Sequence, residues 1–184
     1  MHYLAFLLLF FTSCHTPMQS DTTHLYDFTQ HASSDWEVED DTVMGGESSG
    51  NFTVTEDGHG RFYGHVSLAN DGGFSSIQAN MEKGTDVGKA KAFSIRLKGD
   101  GKRYTLRVQS KPDQNYLHEA SFPTSGKWET VTVPFETMEA MHHGEPVDVA
   151  EFSGGPVHKL QFMIGNRKEQ DFEVLIDWIG TVAN

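Results

Sequence analysis

Asp40 and Asp41 stand just ahead of a Gly45-Gly46 pair, and Glu47, Ser48, Ser49 and Gly50 follow it. Acids, glycines and hydroxyls at this density suit a phosphate cradle, a cation loop or a tight corner pinned by side-chain hydrogen bonds. A phosphate cradle requires Gly-x-x-x-x-Gly-Lys-Ser/Thr between a strand and a helix. This stretch has no Lys, no helical pattern follows it, and Glu47 would repel phosphate. A helix-loop-helix calcium site requires acids at alternating positions between two helices, and that pattern is absent. A corner remains, in which glycines take positive φ and Asp and Ser side chains cap nearby amides. A second stretch, Asn70-Asp71-Gly72-Gly73-Phe74-Ser75-Ser76, has the same character. Either both stretches shape buried corners, or Asp40, Asp41, Met44, Ser48, Asn70 and Phe74 converge on one surface that touches a ligand or partner.

Other reactive patterns are weaker. A glycosidase needs two carboxylates facing each other across about 5–9 Å, and no such pair can be read from the sequence. There is no Gly-x-Ser-x-Gly elbow for a nucleophilic serine. His142 and His143 are adjacent, so their rings point in different directions, and no two of the 10 His have His-x-x-x-His spacing. A zinc centre is therefore not expected, and the chain reads as non-catalytic. Tyr63, Tyr116 and Trp128 fall outside the core pattern. Flat rings of this kind stack on sugars or anchor protein interfaces, and they also serve in edge packing.

The elements that must carry these residues are strands. Phe93, Ile95 and Leu97 alternate with polar residues, as do Tyr104, Leu106 and Val108. Leu160, Phe162 and Ile164 repeat the pattern, followed by Phe172, Val174, Ile176 and Trp178. A period of two marks strands with one face in the core and one facing outward. Further strands are predicted over 25–29, 51–56, 61–69, 74–80, 116–122 and 128–134. The only helical candidate is a turn or two near 136–141. Nine or ten short strands with Gly-rich corners predict an all-β fold, an antiparallel jelly-roll β-sandwich. Nothing alternates helix with strand, which argues against a nucleotide-binding α/β sheet.

The 184 residues match one domain, with 37% hydrophobic content, 13 Phe and 3 Trp to fill a core. The formal net charge of −12 argues against nucleic acid, whose phosphates are bound through Lys and Arg. No basic cluster offers an electrostatic membrane patch. Residues 3–11 are apolar but far short of the roughly 20 that span a bilayer, and they read as a secretory signal. Phe11-Thr12-Ser13-Cys14 resembles a bacterial lipobox, which makes Cys14, the single cysteine, the expected lipidation site. The organisation expected is a lipoprotein signal over 1–14, a polar tether over 15–24 and one sandwich domain over 25–184. Membrane contact is expected only through the lipid, on a monomer exported to the cell envelope.

The run from Trp36 through Asp40-Asp41-Thr42-Val43-Met44-Gly45-Gly46-Glu47-Ser48-Ser49, then Phe62-Tyr63-Gly64 and Asn70-Asp71-Gly72-Gly73-Phe74-Ser75-Ser76, resembles the signature of the complex I intermediate-associated protein family. The resemblance continues through Gly99-Asp100-Gly101, Val133-Pro134-Phe135 and the last strand at Phe172–Ile179. It implies a galactose-binding-like jelly roll and a role in assembling respiratory complex I, with no catalytic residues to carry over. Sugar-binding jelly rolls often tie the first strand to the last through calcium. Asp27 and Asp177 are the candidate ligands for such a structural ion. Two functions are therefore expected of this chain: a non-catalytic protein-binding assembly factor, or a carbohydrate-binding module that takes a polysaccharide.

Overall fold

The computed structural model describes residues 22–30 and 35–183. The expected signal over 1–14, Cys14 and most of the tether lie outside these residues. The end of the tether is already strand, because β1 spans Thr23–Asp27. Two antiparallel sheets face each other. The first has the order β3-β4-β13-β6-β9, with β1 also on β13. Its strands are β3 (Ser49–Val54), β4 (Gly60–Val66), β6 (Ala92–Lys98), β9 (Trp128–Pro134) and β13 (Gln170–Val182). The second has the order β11-β10-β8-β7-β12-β5-β2. It comprises β2 (Glu37–Asp40), β5 (Ser75–Asp86), β7 (Arg103–Gln109), β8 (Leu117–Pro123), β10 (Glu139–His142), β11 (Glu145–Pro146) and β12 (Pro156–Ile164).

The period of two is the cause of this arrangement. Leu160, Phe162 and Ile164 of β12 and Leu106 and Val108 of β7 all point inward and are buried. They meet Phe93, Ile95 and Leu97 of β6 and Val174 and Ile176 of β13 in one core. Alternation leaves Lys159, Gln161 and Met163 of β12 on the outer face of the seven-stranded sheet. Strand β13 is long enough to hold three partners. Its Gln170–Ile176 half pairs with β4, and its Trp178–Thr181 half pairs with β1.

The helical turn or two predicted near 136–141 shrinks to one turn at its start, and the rest is strand. Phe135–Thr137 makes a single 3-10 turn, with the Thr137 hydroxyl donating to the Pro134 carbonyl at 2.7 Å. β10 follows at once and pairs with β8, Ala140 opposite His118. Met138 and Ala140 are both buried, so the period here is two and the chain extends. The sequence reading also passed over β2, β10 and β11, which are short and carry few apolar residues.

Candidate functional site

The two Gly-Gly stretches meet at one corner, and Asp41 is its centre. Its carboxylate accepts from the Ser48 amide at 2.9 Å and the Ser48 hydroxyl at 2.6 Å. It also accepts from the amides of Gly73 at 2.6 Å and Phe74 at 3.2 Å. Asp41 is 1% exposed and Ser48 2%. Burial pushes the Asp41 carboxyl upward, but the Ser48 hydroxyl and the Gly73, Ser48 and Phe74 amides outweigh it and hold it below the ordinary carboxylate range. Asp40 makes the parallel tie one residue earlier, accepting from the Gly50 amide at 2.9 Å and the Ser75 hydroxyl at 2.5 Å. Gly45 sits at φ 93 as the 3-10 turn Asp41–Met44 ends, a region that suits glycine. Asp40, Asp41 and Ser48 therefore spend their polar atoms holding the corner together. Asn70 is exposed and donates to Glu47 at 3.3 Å. Met44, at 74% exposure, and Phe74 project from the corner into a groove.

That groove, about 810 Å³, crosses the outer face of the seven-stranded sheet. Its floor is a row of side chains brought level by strand register. Glu119 of β8 lies opposite Arg107 of β7. Arg107 lies opposite Gln161 of β12, and Gln161 opposite Gln78 of β5. Outward-facing residues in register form such rows, and long side chains reach across them. Arg107 Nε sits 2.7 Å from Glu119 Oε2 as a close ion contact rather than an aligned hydrogen bond. Arg107 also donates to Gln161 Oε1 at 2.9 Å. Gln161 Nε2 in turn donates to Glu39 Oε2 at 3.0 Å and to the Ser76 hydroxyl at 3.1 Å. The network joins five adjacent strands, from β8 to β2, a span of about 19 Å at ordinary strand spacing. One wall carries Met44, Leu68 and Phe74; the other carries Tyr116, Leu117 and Met141. The Tyr116 wall is braced by Gln109, whose amide donates to the Gln114 carbonyl at 2.6 Å, and by Gln114 donating to the Tyr116 carbonyl at 2.8 Å.

The three sequence-predicted aromatics do not share a face. Only Tyr116 lines the groove. Tyr63 belongs to β4 on the other sheet, with the Arg61 guanidinium 4.1 Å from its ring centre. Trp128 opens β9 on that sheet, with the His59 ring 4.6 Å away and the Arg96 guanidinium at 5.7 Å. Cationic and imidazole groups thus already occupy the rings of Tyr63 and Trp128. Asp27 and Asp177 are likewise engaged separately. Asp27 accepts from the Thr29 amide at 3.0 Å, the Thr29 hydroxyl at 2.6 Å and the Gln30 amide at 3.0 Å. Its carboxyl is held below the ordinary range chiefly by the Thr29 hydroxyl. Asp177 faces His59 at 3.6 Å. Among the described residues no three His, Cys, Asp or Glu side chains converge as a metal-binding group.

Arg107, Glu119 and Gln161 were absent from the sequence candidates. A signal was available: the outward positions of the central strands β7 and β12 carry Arg107, Gln109 and Gln161. Long planar donors at the middle of a sheet are costly to seat unless hydrogen-bonded, and they mark a polar face organised for contact.

The two antiparallel sheets form a β-sandwich that matches the jelly-roll fold of known carbohydrate-binding modules. The chain aligns with the family 11 carbohydrate-binding module of the cellulosomal cellulase Lic26A-Cel5E of Clostridium thermocellum at TM-score 0.63 and 15% identity, over 90% of this chain and 96% of that one. The family 11 module from Clostridium thermocellum in complex with a β-1,3-1,4-mixed-linked tetrasaccharide aligns at TM-score 0.61 and 17% identity, over 88% and 95%. The agarase AgWH50C aligns at TM-score 0.59 and 10% identity, over 88% of this chain but 26% of the agarase. By sequence, the chain belongs to the complex I intermediate-associated protein 30 (CIA30) family, whose profile matches residues 26–176. No curated protein sequence matches it.

Proposed function

We propose that this chain is a non-catalytic glycan-binding module that takes a single polysaccharide chain in the groove of its seven-stranded sheet. The observation that carries the reading is the preassembled network Glu119–Arg107–Gln161–Glu39 across the groove floor. Donors and acceptors already fixed by one another lose little freedom when sugar hydroxyls arrive, which is how a preorganised site gains affinity. Walls of Met44, Phe74 and Tyr116 offer apolar and aromatic surface to the C–H faces of the sugar rings. A module of the same fold is known in complex with a mixed-linked tetrasaccharide, which makes a β-linked glucan the first ligand to try. Export to the envelope and lipidation at Cys14 complete the proposal, because they would put the groove where polysaccharide is found.

A second reading, a protein-binding assembly factor, is favoured by the family itself and by Met44 and Leu68, both exposed at the groove wall. Affinity electrophoresis through gels containing mixed-linked glucan, xylan or agarose separates the two. Retardation of the wild-type protein, relieved in Gln161→Ala, is the expected result. Free migration in every gel, with a protein partner that copurifies and is lost in Met44→Ser/Leu68→Ser, would replace the glycan reading with the second.

A further inference from the structure

Resting on the glycan-groove reading, we infer that the groove selects a glycan bearing carboxylate groups, with Lys159 as the residue that recognises the charge. The chain carries 26 acidic and 14 basic residues, yet its groove is lined by equal numbers of each: Arg107, Lys159 and Arg167 against Glu39, Asp71 and Glu119. These charges are not evenly placed. Glu39 and Asp71 belong to the end of the groove where β5 begins, since Glu39 pairs in register with Ser76 and Asp71 precedes that strand. Glu119 is answered by Arg107 at 2.7 Å. Lys159 lies toward the other end, four residues along β12 from Met163, a separation of about 13 Å on an extended strand.

The surroundings of Lys159 are amides. It pairs in register with Gln109 on one side and Asn80 on the other. Its ammonium donates to Gln78 Oε1 at 3.2 Å. Among the described residues it forms no ion pair with a carboxylate. A half-buried ammonium whose partner is a neutral amide has surrendered part of its hydration without gaining a counter-charge. An anion delivered by the ligand supplies it. The net negative charge of the chain does not forbid this, because at physiological ionic strength fields beyond about 8 Å are screened. Arg167, exposed and held at φ 55, lies at the opposite end, where β12 finishes beside the start of β5, so it faces the Glu39 and Asp71 end and leaves Lys159 as the cation of its own end.

The test uses two ligands that differ only at C6: cellotetraose, with its hydroxymethyl groups, and the same tetrasaccharide oxidised to the uronate at every C6. Calorimetric titration of the full-length protein at physiological ionic strength is expected to give about fivefold tighter binding of the uronate, the scale of one partly exposed charge pair. The ratio of the two affinities should fall as salt rises further and reach one in Lys159→Gln. An unchanged urea midpoint verifies that this variant is folded. Equal affinity for both ligands, or an equal loss of both in Lys159→Gln, overturns the charge recognition and leaves the groove reading standing. Binding of neither ligand overturns the charge recognition, and free migration in all three polysaccharide gels as well would overturn the groove reading.

Discussion

Replacing Asp41 by Ala should cost more stability than any other single change at the Gly-Gly corner. The carboxylate satisfies three backbone amides and one hydroxyl from two separate loops. Ala removes every acceptor at once. A buried donor left without a partner costs about 1–3 kcal/mol. The Ser48 amide is fully enclosed, whereas the Gly73 and Phe74 amides are only partly buried and regain some water. We therefore expect a loss of about 3–5 kcal/mol at pH 7, a large share of the roughly 5–15 kcal/mol that holds a domain together. The pH dependence has a definite sign. The folded-state carboxyl lies below its ordinary value, so its contribution is complete above the unfolded value near 3.9 and is lost as pH falls through the folded value. Urea denaturation followed by the fluorescence of buried Trp36 measures both effects. The gap between wild type and Asp41→Ala should be wide at pH 7 and should narrow below about pH 4. A gap under about 0.5 kcal/mol at pH 7, the range of ordinary surface changes, would refute the view that Asp41 ties the corner.

Four further outcomes follow from the same geometry. Gly64→Ala should unfold the edge of the six-stranded sheet, because a Cβ there falls on the Ser49 carbonyl oxygen and within 2.9 Å of Gly50 Cα; loss of several kcal/mol in thermal unfolding checks it, and a wild-type midpoint would contradict it. Tyr104→Phe should cost about 1 kcal/mol in urea denaturation, since its hydroxyl donates to Asp100 Oδ1 at 3.1 Å from a fully buried ring. Burial and the Asp100 carboxylate also push that hydroxyl far above the usual tyrosine range, so alkaline absorbance titration should find Tyr104 silent until the protein unfolds. Tyr116→Ala should weaken glucan binding about tenfold, within the range for one aromatic anchor, while Trp128→Phe on the opposite sheet leaves the affinity unchanged.

The sandwich was legible because its core strands alternate strictly. Leu160-Gln161-Phe162 and Phe172-Glu173-Val174 each state which side faces inward, and the sheets follow from that. The stretch over 136–141 was misread because its buried side chains, Met138 and Ala140, sit beside acids and the 3-10 turn Phe135–Thr137 leads directly into β10. The corner residues were legible as a group, since Asp, Ser and Gly at those spacings form capping turns. Their convergence on Asp41 was not, because the 32 positions from Asp41 to Gly73 are closed only by tertiary structure. The groove floor was hidden for a related reason. Glu39, Arg107, Glu119 and Gln161 lie on four strands whose order in the sheet does not follow their order in the chain, so no local spacing brings them together. The aromatics misled in the opposite way: Tyr63 and Trp128 share a residue class with Tyr116 but lie on the other sheet, their rings already met by Arg61, His59 and Arg96.

The central claim is that the outer face of the seven-stranded sheet binds a glycan chain. The most direct measurement is a two-dimensional amide and side-chain NMR titration of the protein with a mixed-linked β-glucan tetrasaccharide. The account expects saturable shifts at Arg107 Nε, the Gln161 and Gln109 side-chain amides and the Tyr116 backbone, with Tyr63 and the Trp128 indole unmoved. Shifts centred on Tyr63 and Trp128, or none with any β-glucan at millimolar concentration, would contradict it.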